Sequence, residues 1–333
     1  MNRFYCLTLS LLFSATLHAA DYANREDVRA FVAEMESRHG FDAQRLSAQF
    51  EKTHALPSVL KLIAPPADPG IRSWTAYRQR FIEPKRIAAG TEFWQRHRAM
   101  LAKAEAQTGV PAEVIVAIIG IETFYGKYLG NFDVFAALTT LAFDYPPRAD
   151  LFRRELESLL LLARDAGRRP DSYRGSFAGA IGLPQFLPSS IRHYAVDFDR
   201  SGRVDLTASP ADAIGSVANF LKEHGWENGA PVTRKVDADA TLAKPLIDEG
   251  IRPVRHPAEM AAFGVQWLED APDAPAALID LVTPHAPTEY WLGYRNFFVI
   301  TRYNRSSFYA MAVWQFAQTL RARQDTLTAA PAR

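Results

Sequence analysis

The stretch Val114-Ile-Val-Ala-Ile-Ile-Gly-Ile-Glu-Thr-Phe-Tyr125 is apolar apart from one acid, Glu122, and a threonine. It reads as a core helix, and a carboxylate placed there must find a partner or take up a proton. The run ends at Gly126, which as a helix C-cap would put Glu122 in the last turn, at the negative end of the helix dipole. Burial and dipole both favour the protonated form, the state a general acid needs near neutral pH. The alternative is a structural Glu paired with an Arg, and both stay open on this segment alone.

Outward from this run, residues 111–226 keep helical spacing, with apolar faces in 151–162 and 214–221. Breaks fall at Tyr145-Pro-Pro-Arg148 and in the Gly-rich stretch 175–182. Upstream, Val28, Phe31, Val32 and Met35, then Phe93, Met100 and Leu101, mark further helices, while prolines between 57 and 69 leave a loop with one short helix at most. After Gly229, Pro231-Val-Thr-Arg-Lys-Val236, Ala276-Ala-Leu-Ile-Asp-Leu-Val282 and residues 290–294 read as short strands. A final helix is expected over 307–323. The chain is thus mainly α, an α+β protein divided as 1–20, 21–108, 109–230, 231–295 and 296–325.

The 333 residues carry 38 Lys and Arg against 37 Asp and Glu, a net charge of +1, with no basic run interleaved with aromatics. Nucleic acid is set aside as a partner. Residues 1–20 have Arg3, an apolar stretch over 4–13, and Ala19-Ala20 before Asp21, the pattern of a cleavable secretory signal. No later stretch reaches the roughly 18 apolar residues that a permanent membrane span needs. The one cysteine, Cys6, lies inside the signal, which excludes disulfides and cysteine-bound metals from the mature chain, and it is too near the start to be a lipid-anchoring Cys. The expectation is a soluble exported protein.

Ordinary glycosidases use two carboxylates. The acids nearest downstream of Glu122 are Asp133 and Asp144, and both read better as cap or turn residues. In Arg174-Gly-Ser-Phe-Ala-Gly-Ala-Ile-Gly-Leu-Pro-Gln-Phe-Leu-Pro-Ser-Ser190 the glycines permit close approach to the backbone, by a polymer or by another helix packed tightly on it. Gln185 offers a donor and an acceptor to a sugar, or caps a loop. Ser176 does not have the glycine spacing of a nucleophile elbow. Asp197-Phe-Asp-Arg-Ser-Gly-Arg-Val-Asp205 has oxygen side chains at positions 1, 3, 5 and 9 and Gly at 6, the spacing of a calcium loop, but Ala208 stands where a bidentate Glu is expected. Asp212 could close the shell of a longer loop, and a solvated Asp-rich turn is the alternative. His193, His224, His256 and His285 lack metalloprotease spacing and read as surface or core filler.

Taken in order, the Glu122 segment, the Gly-Ala-Ile-Gly-Leu-Pro-Gln run and the Asp loop make the chain resemble the B-type lytic murein transglycosylases. The likeness runs from Trp74-Thr-Ala-Tyr-Arg78 through Leu138-Thr-Thr-Leu-Ala-Phe-Asp-Tyr-Pro146, Asp212-Ala-Ile-Gly-Ser-Val-Ala-Asn219 and Ile300-Thr-Arg-Tyr-Asn304 to Ala310-Met-Ala-Val-Trp-Gln315. It implies a lysozyme-like catalytic domain in a larger helical frame, with a small β-containing insertion and an EF-hand-like loop over 197–212.

The implied substrate is the MurNAc-GlcNAc glycan of peptidoglycan. Glu122 falls on the catalytic acid, which protonates the glycosidic oxygen and then, as carboxylate, draws the proton from the MurNAc C6 hydroxyl to close a 1,6-anhydro ring. Ser176 falls where a hydroxyl would orient that carboxyl, and Gln185, Tyr303, Asn304, Tyr77 and Tyr309 fall on substrate-binding cleft positions. Asp197, Asp199, Ser201, the Arg203 carbonyl and Asp212 fall on a metal loop that would hold a structural Ca2+. No cofactor is implied for the chemistry, and cell-wall synthases or other hydrolases are the implied companions. The chain departs from the pattern in a loop one residue longer before Asp212, an extra carboxylate at Asp199, no lipidated Cys, and a second Pro in Tyr145-Pro-Pro-Arg148 where relatives carry a basic residue. Two other functions compete: hydrolysis of the same glycan by water, and non-catalytic binding to the wall.

Overall fold

The apolar run forms the helix Ala112–Thr123, buried on every side. A helix apolar all round belongs in a core, and this one packs against helices Pro84–Arg96, Arg98–Thr108, Pro210–Glu223 and Ser307–Ala329. Its β-branched residues are modest helix formers, so packing holds it: each fully buried Ile or Val contributes about 1.5–3 kcal/mol. Ile118→Ala would open a cavity at the centre of this contact and cost about 2–5 kcal/mol.

The helix ends two residues before the Gly126 cap expected from sequence. Phe124 is the left-handed C-cap, with φ 51°, and Tyr125 and Gly126 follow at 60° and 93°. Two aromatic residues accept this costly conformation because the Tyr125 ring fills a slot between helices. A Cβ added at Gly90 or Gly120 would lie 2.3 or 2.4 Å from the Tyr125 hydroxyl, and the ring stacks on Phe93 at 5.1 Å.

A computed structural model describes residues 22–65, 72–267 and 271–329; the signal segment 1–20, Pro66 and Pro69 lie outside the described residues. Helix Glu26–His39 buries Val28, Phe31, Val32 and Met35 as their spacing implies, and helix Pro57–Ile63 is the one short helix of the proline-rich stretch. These side chains share one apolar cluster with the central and C-terminal helices, reaching from Tyr22 to Leu320. Among the described residues no single helix is long and apolar enough to cross a membrane.

Two short strands, β1 (Phe132–Asp133) and β2 (Arg174–Gly175), pair antiparallel beside the Gly-rich loop. The other four, β3 (Thr233–Ala238), β4 (Val265–Gln266), β5 (Ala277–Leu281) and β6 (Glu289–Gly293), form an antiparallel sheet in the order β4-β3-β6-β5. Three of these four were legible in sequence; β4 is too short to show a period. Alternation splits the sheet: Ala277, Ile279 and Leu281 join the main cluster, whereas Val236, Leu278 and Leu292 build a second, smaller core with Leu246, Met260 and Tyr294. The last helix extends from Ser307 to Ala329, past the expected end.

Candidate active site

Glu122 lies in the last turn of its helix, partly buried. Among the described residues its hydrogen-bond partner is a hydroxyl, not the Arg of the structural alternative: Tyr309 Oη donates to Glu122 Oε1 at 2.6 Å. Burial pushes the carboxyl up from 4.5 to about 7, and the Tyr309 hydrogen bond opposes that rise by favouring the anion. A group poised there can give a proton and take one back at neutral pH.

Tyr309 comes from the first turn of helix Ser307–Ala329 and is buried. Tyr303 stacks beside it, with centroids 6.4 Å apart and planes at 15°, and donates its hydroxyl to the Pro184 carbonyl at 2.6 Å. Phe186 and Phe220 support Tyr303 at 5.8 and 4.9 Å. Tyr77 rests on Phe81 and Phe308. Burial first, and the Glu122 charge second, raise all three tyrosine hydroxyls above their ordinary range, so they stay protonated as donors. The structure therefore brings Tyr77, Tyr303 and Tyr309 around one carboxyl. Asn304 is exposed in the turn between the two C-terminal helices.

The Gly-rich loop is fastened to the Glu122 helix by Thr123, whose hydroxyl donates to the Leu183 carbonyl at 3.0 Å and accepts from Gly126 N at 3.1 Å. Gln185, at φ 50°, donates its amide to the Leu129 and Gly182 carbonyls at 3.2 and 2.9 Å. Both donors are thereby committed, leaving the amide oxygen as the atom open to a ligand, in place of the donor-and-acceptor pair read from sequence.

Ser176 lies in this loop too. Its hydroxyl accepts from Ala180 N at 3.0 Å within its own loop, and the hydroxyl that reaches Glu122 is that of Tyr309. The loop glycines are likewise taken up by the protein itself. A Cβ at Gly175 would lie 2.1 Å from the Ala180 carbonyl oxygen, at Gly179 2.5 Å from Leu138, and at Gly182 2.5 Å from the Leu206 carbonyl oxygen.

Neither downstream acid joins Glu122. Asp133 caps helix Val134–Asp144, accepting from Ala136 N at 3.1 Å. Asp144 is hydrogen-bonded to Tyr22 and ion-paired with Arg25, anchoring the first described residues.

In the Asp loop, single oxygens of Asp197, Asp199 and Asp212 lie within 4.8 Å of one another. Gly202, at φ 92°, makes the turn, and its N–H donates to Asp197 at 2.8 Å. Ser201 donates to the Arg203 carbonyl at 3.1 Å. Asp212, fully buried, accepts from Phe198 N and Asp205 N, both at 2.8 Å, and so holds the loop ends together from the next helix. Carboxylate oxygens are the hard donors that Ca2+ takes, and these three would supply part of its shell of about six to eight. The loop also touches the site's neighbour: Leu206 O accepts from Leu183 N at 2.8 Å, one residue link away from the Thr123 contact.

Sequence reasoning missed Thr123, Phe186 and Phe220, whose partners lie tens of residues away. The mid-helix glycines Gly90 and Gly120 were a usable signal for close approach, left unread.

An acid poised near neutrality, with no second carboxyl bonded to it among the described residues and with tyrosines about it on a helical scaffold, is the pattern of a lysozyme-like glycan-cleaving enzyme. The chain belongs to the family described as Transglycosylase SLT domain, whose model matches residues 23–318. It is 40% identical over 312 residues, covering 90% of this chain and 84% of the relative, to membrane-bound lytic murein transglycosylase B of Escherichia coli (strain K12). Soluble lytic transglycosylase SltB1 from Pseudomonas aeruginosa superposes with a TM-score of 0.83 at 46% identity, covering 89% of this chain and 99% of that one. Escherichia coli lytic transglycosylase Slt35, solved in complex with calcium, gives 0.80 at 38% identity, covering 92% and 96%.

Proposed function

We infer that Glu122 alone performs both proton transfers of a peptidoglycan lytic transglycosylase. The enzyme class follows from the family and its relatives; the assignment of groups rests on the Glu122–Tyr309 contact. Protonated Glu122 donates to the oxygen linking MurNAc C1 to GlcNAc, the C1–O bond breaks, and GlcNAc departs as an alcohol. The carboxylate left behind, supported by the Tyr309 hydroxyl, takes the proton from the MurNAc C6 hydroxyl as that oxygen bonds to C1. The 1,6-anhydro ring closes and Glu122 is again protonated. With Asp133 and Asp144 engaged elsewhere, the substrate's own N-acetyl group relieves the positive charge at C1, which demands orientation from the protein and no second carboxylate. Tyr77, Tyr303, Asn304, the Gln185 amide oxygen and the loop carrying Ser176 orient the sugars. In Glu122→Gln, release of soluble muropeptides from purified sacculi should fall by about 10²–10⁴, and retained release would refute the assignment.

The Asp loop is proposed to hold Ca2+ through Asp197, Asp199, Ser201, the Arg203 carbonyl and Asp212. The calcium complex of Slt35 and the convergence of three carboxylates support this. The ion would offset their mutual repulsion and has no part in the proton transfers. A Ca2+ titration should raise Tm, and an unchanged Tm would remove the ion from the account. The protein is further proposed to act in the periplasm after removal of residues 1–20, whose pattern is that of a secretory signal. Retention of residues 1–20 on the chain in the cytoplasm would overturn that reading.

A further inference from the structure

The sheet and the C-terminal helix meet at one edge and part at the other. At β5, alternate residues Ala277, Ile279 and Leu281 are buried in the main cluster beside helix Ser307–Ala329. Twist rotates successive strands by roughly 20–25°. Two strands further on, β3 no longer lies on the helix, and a cavity of 440 Å³ opens between Thr233, Lys235 and Asp237, Trp291 of β6, and Gln318 of the helix. A second cavity, 620 Å³, shares Trp291 and Gln318 with the first and extends past Gln315 to Thr75, Arg78 and Gln79. Each is of the size, about 300–1,000 Å³, that holds a small ligand.

The lining has a consistent chemistry. Trp291 is partly exposed, paired across strands with Lys235 and Ile279, and its indole N–H is directed to Glu289 at 3.4 Å. Around it stand amides and hydroxyls: the side chains of Gln79 and Gln318 are exposed and make no hydrogen bond among the described residues, and Gln315 Oε1 accepts from Arg78 Nε at 2.6 Å. Charges are mixed, with Arg234, Lys235 and Arg78 against Asp237 and Glu289, no dense basic run of the kind a polyanion selects. An indole surface flanked by groups that both donate and accept matches a pyranose, whose C–H face is apolar and whose rim carries hydroxyl and acetamido groups.

We propose that this wedge between the Trp291 face of the sheet and the C-terminal helix is a second glycan-binding groove, separate from the cleft at Glu122. Its ligand is an N-acetylated glycan strand, and the proposal rests on the peptidoglycan reading above. The helix Trp74–Gln79 joins the two sites: Tyr77 lies within the field of Glu122, while Thr75, Arg78 and Gln79 line the groove. A strand or a neighbouring strand held in the groove raises the effective concentration of glycan at the cleft, an advantage on the insoluble polymer and none on a short fragment.

The test uses Glu122→Gln protein, which binds without cutting, and two probes: peptide-free glycan strands of many disaccharides and a tetrasaccharide short enough to fill the cleft alone. Trp291→Ala and, on the exposed helix surface, Gln318→Ala should each weaken binding of the long strands, about tenfold for the first, and leave the tetrasaccharide within about twofold. In the Glu122-intact enzyme the same changes should slow sacculus digestion several-fold and leave tetrasaccharide cleavage unaltered. Unchanged long-strand affinity in both variants, or equal loss for both probes, would overturn the groove. Failure of the parent to bind either probe would overturn the peptidoglycan reading and the groove with it.

Discussion

Replacing Glu122 by Gln should stabilise the protein, and by an amount that depends on pH. The folded state holds the carboxyl at about 7 against an ordinary value of 4.5. The native state therefore binds more protons than the unfolded state between these limits, and wild-type stability falls as pH rises through that window. At 1.36 kcal/mol per pKa unit the loss by pH 8 is about 3 kcal/mol, an upper bound because Glu122 keeps part of its surface open to the cleft. Gln does not titrate, and its carbonyl oxygen can still accept from Tyr309. In thermal denaturation the variant and the wild type should melt together near pH 4. By pH 8 the variant should lead by up to about 5 °C, with most of the divergence falling between pH 4.5 and 7. A difference that stays flat with pH, or wild type gaining on the variant as pH rises, would refute a buried, proton-binding Glu122.

Tyr309→Phe removes the hydrogen bond that favours the Glu122 anion, so the carboxyl should rise further, and the alkaline limb of kcat/KM should move up from about 7 by about one pH unit; a downward shift would contradict the geometry. Asp212→Ala leaves the Phe198 and Asp205 N–H groups without their acceptor, and should cost about 2–5 kcal/mol in urea unfolding and abolish any Ca2+-dependent rise in Tm. Gly120→Ala would drive a methyl to 2.4 Å from the Tyr125 hydroxyl, and should cost about 1–3 kcal/mol and lower kcat by disturbing the turn that follows Glu122.

What could be read from sequence was what repeats locally. The isolated acid in an apolar helix, the β-rich segment after Gly229 and the helix faces at Val28–Met35 all follow from residue spacing along one element. The helix end was misread because Gly126 is the expected cap by residue type, whereas the Tyr125 ring, seated against Gly90 and Gly120, sets it two residues earlier. Tyr309 was placed in the cleft by resemblance, but its bond to Glu122 joins residues 187 apart, which no local pattern encodes. In the Gly-rich loop the Ser176 oxygen accepts from Ala180 N and the Gln185 amide donates to the Leu129 and Gly182 carbonyls, contacts that residue spacing does not show. Carbonyls of a loop with few side-chain donors must be satisfied from somewhere, and the polar residues within it are the nearest source.

Mass analysis of the soluble products from purified sacculi treated with the mature enzyme tests the central claim most directly. Products ending in 1,6-anhydro-MurNAc from wild type, and none from Glu122→Gln, are the expected result. Products one water heavier, with reducing ends, would mean that water and not the C6 hydroxyl attacks C1, and that a group other than Glu122 must activate it.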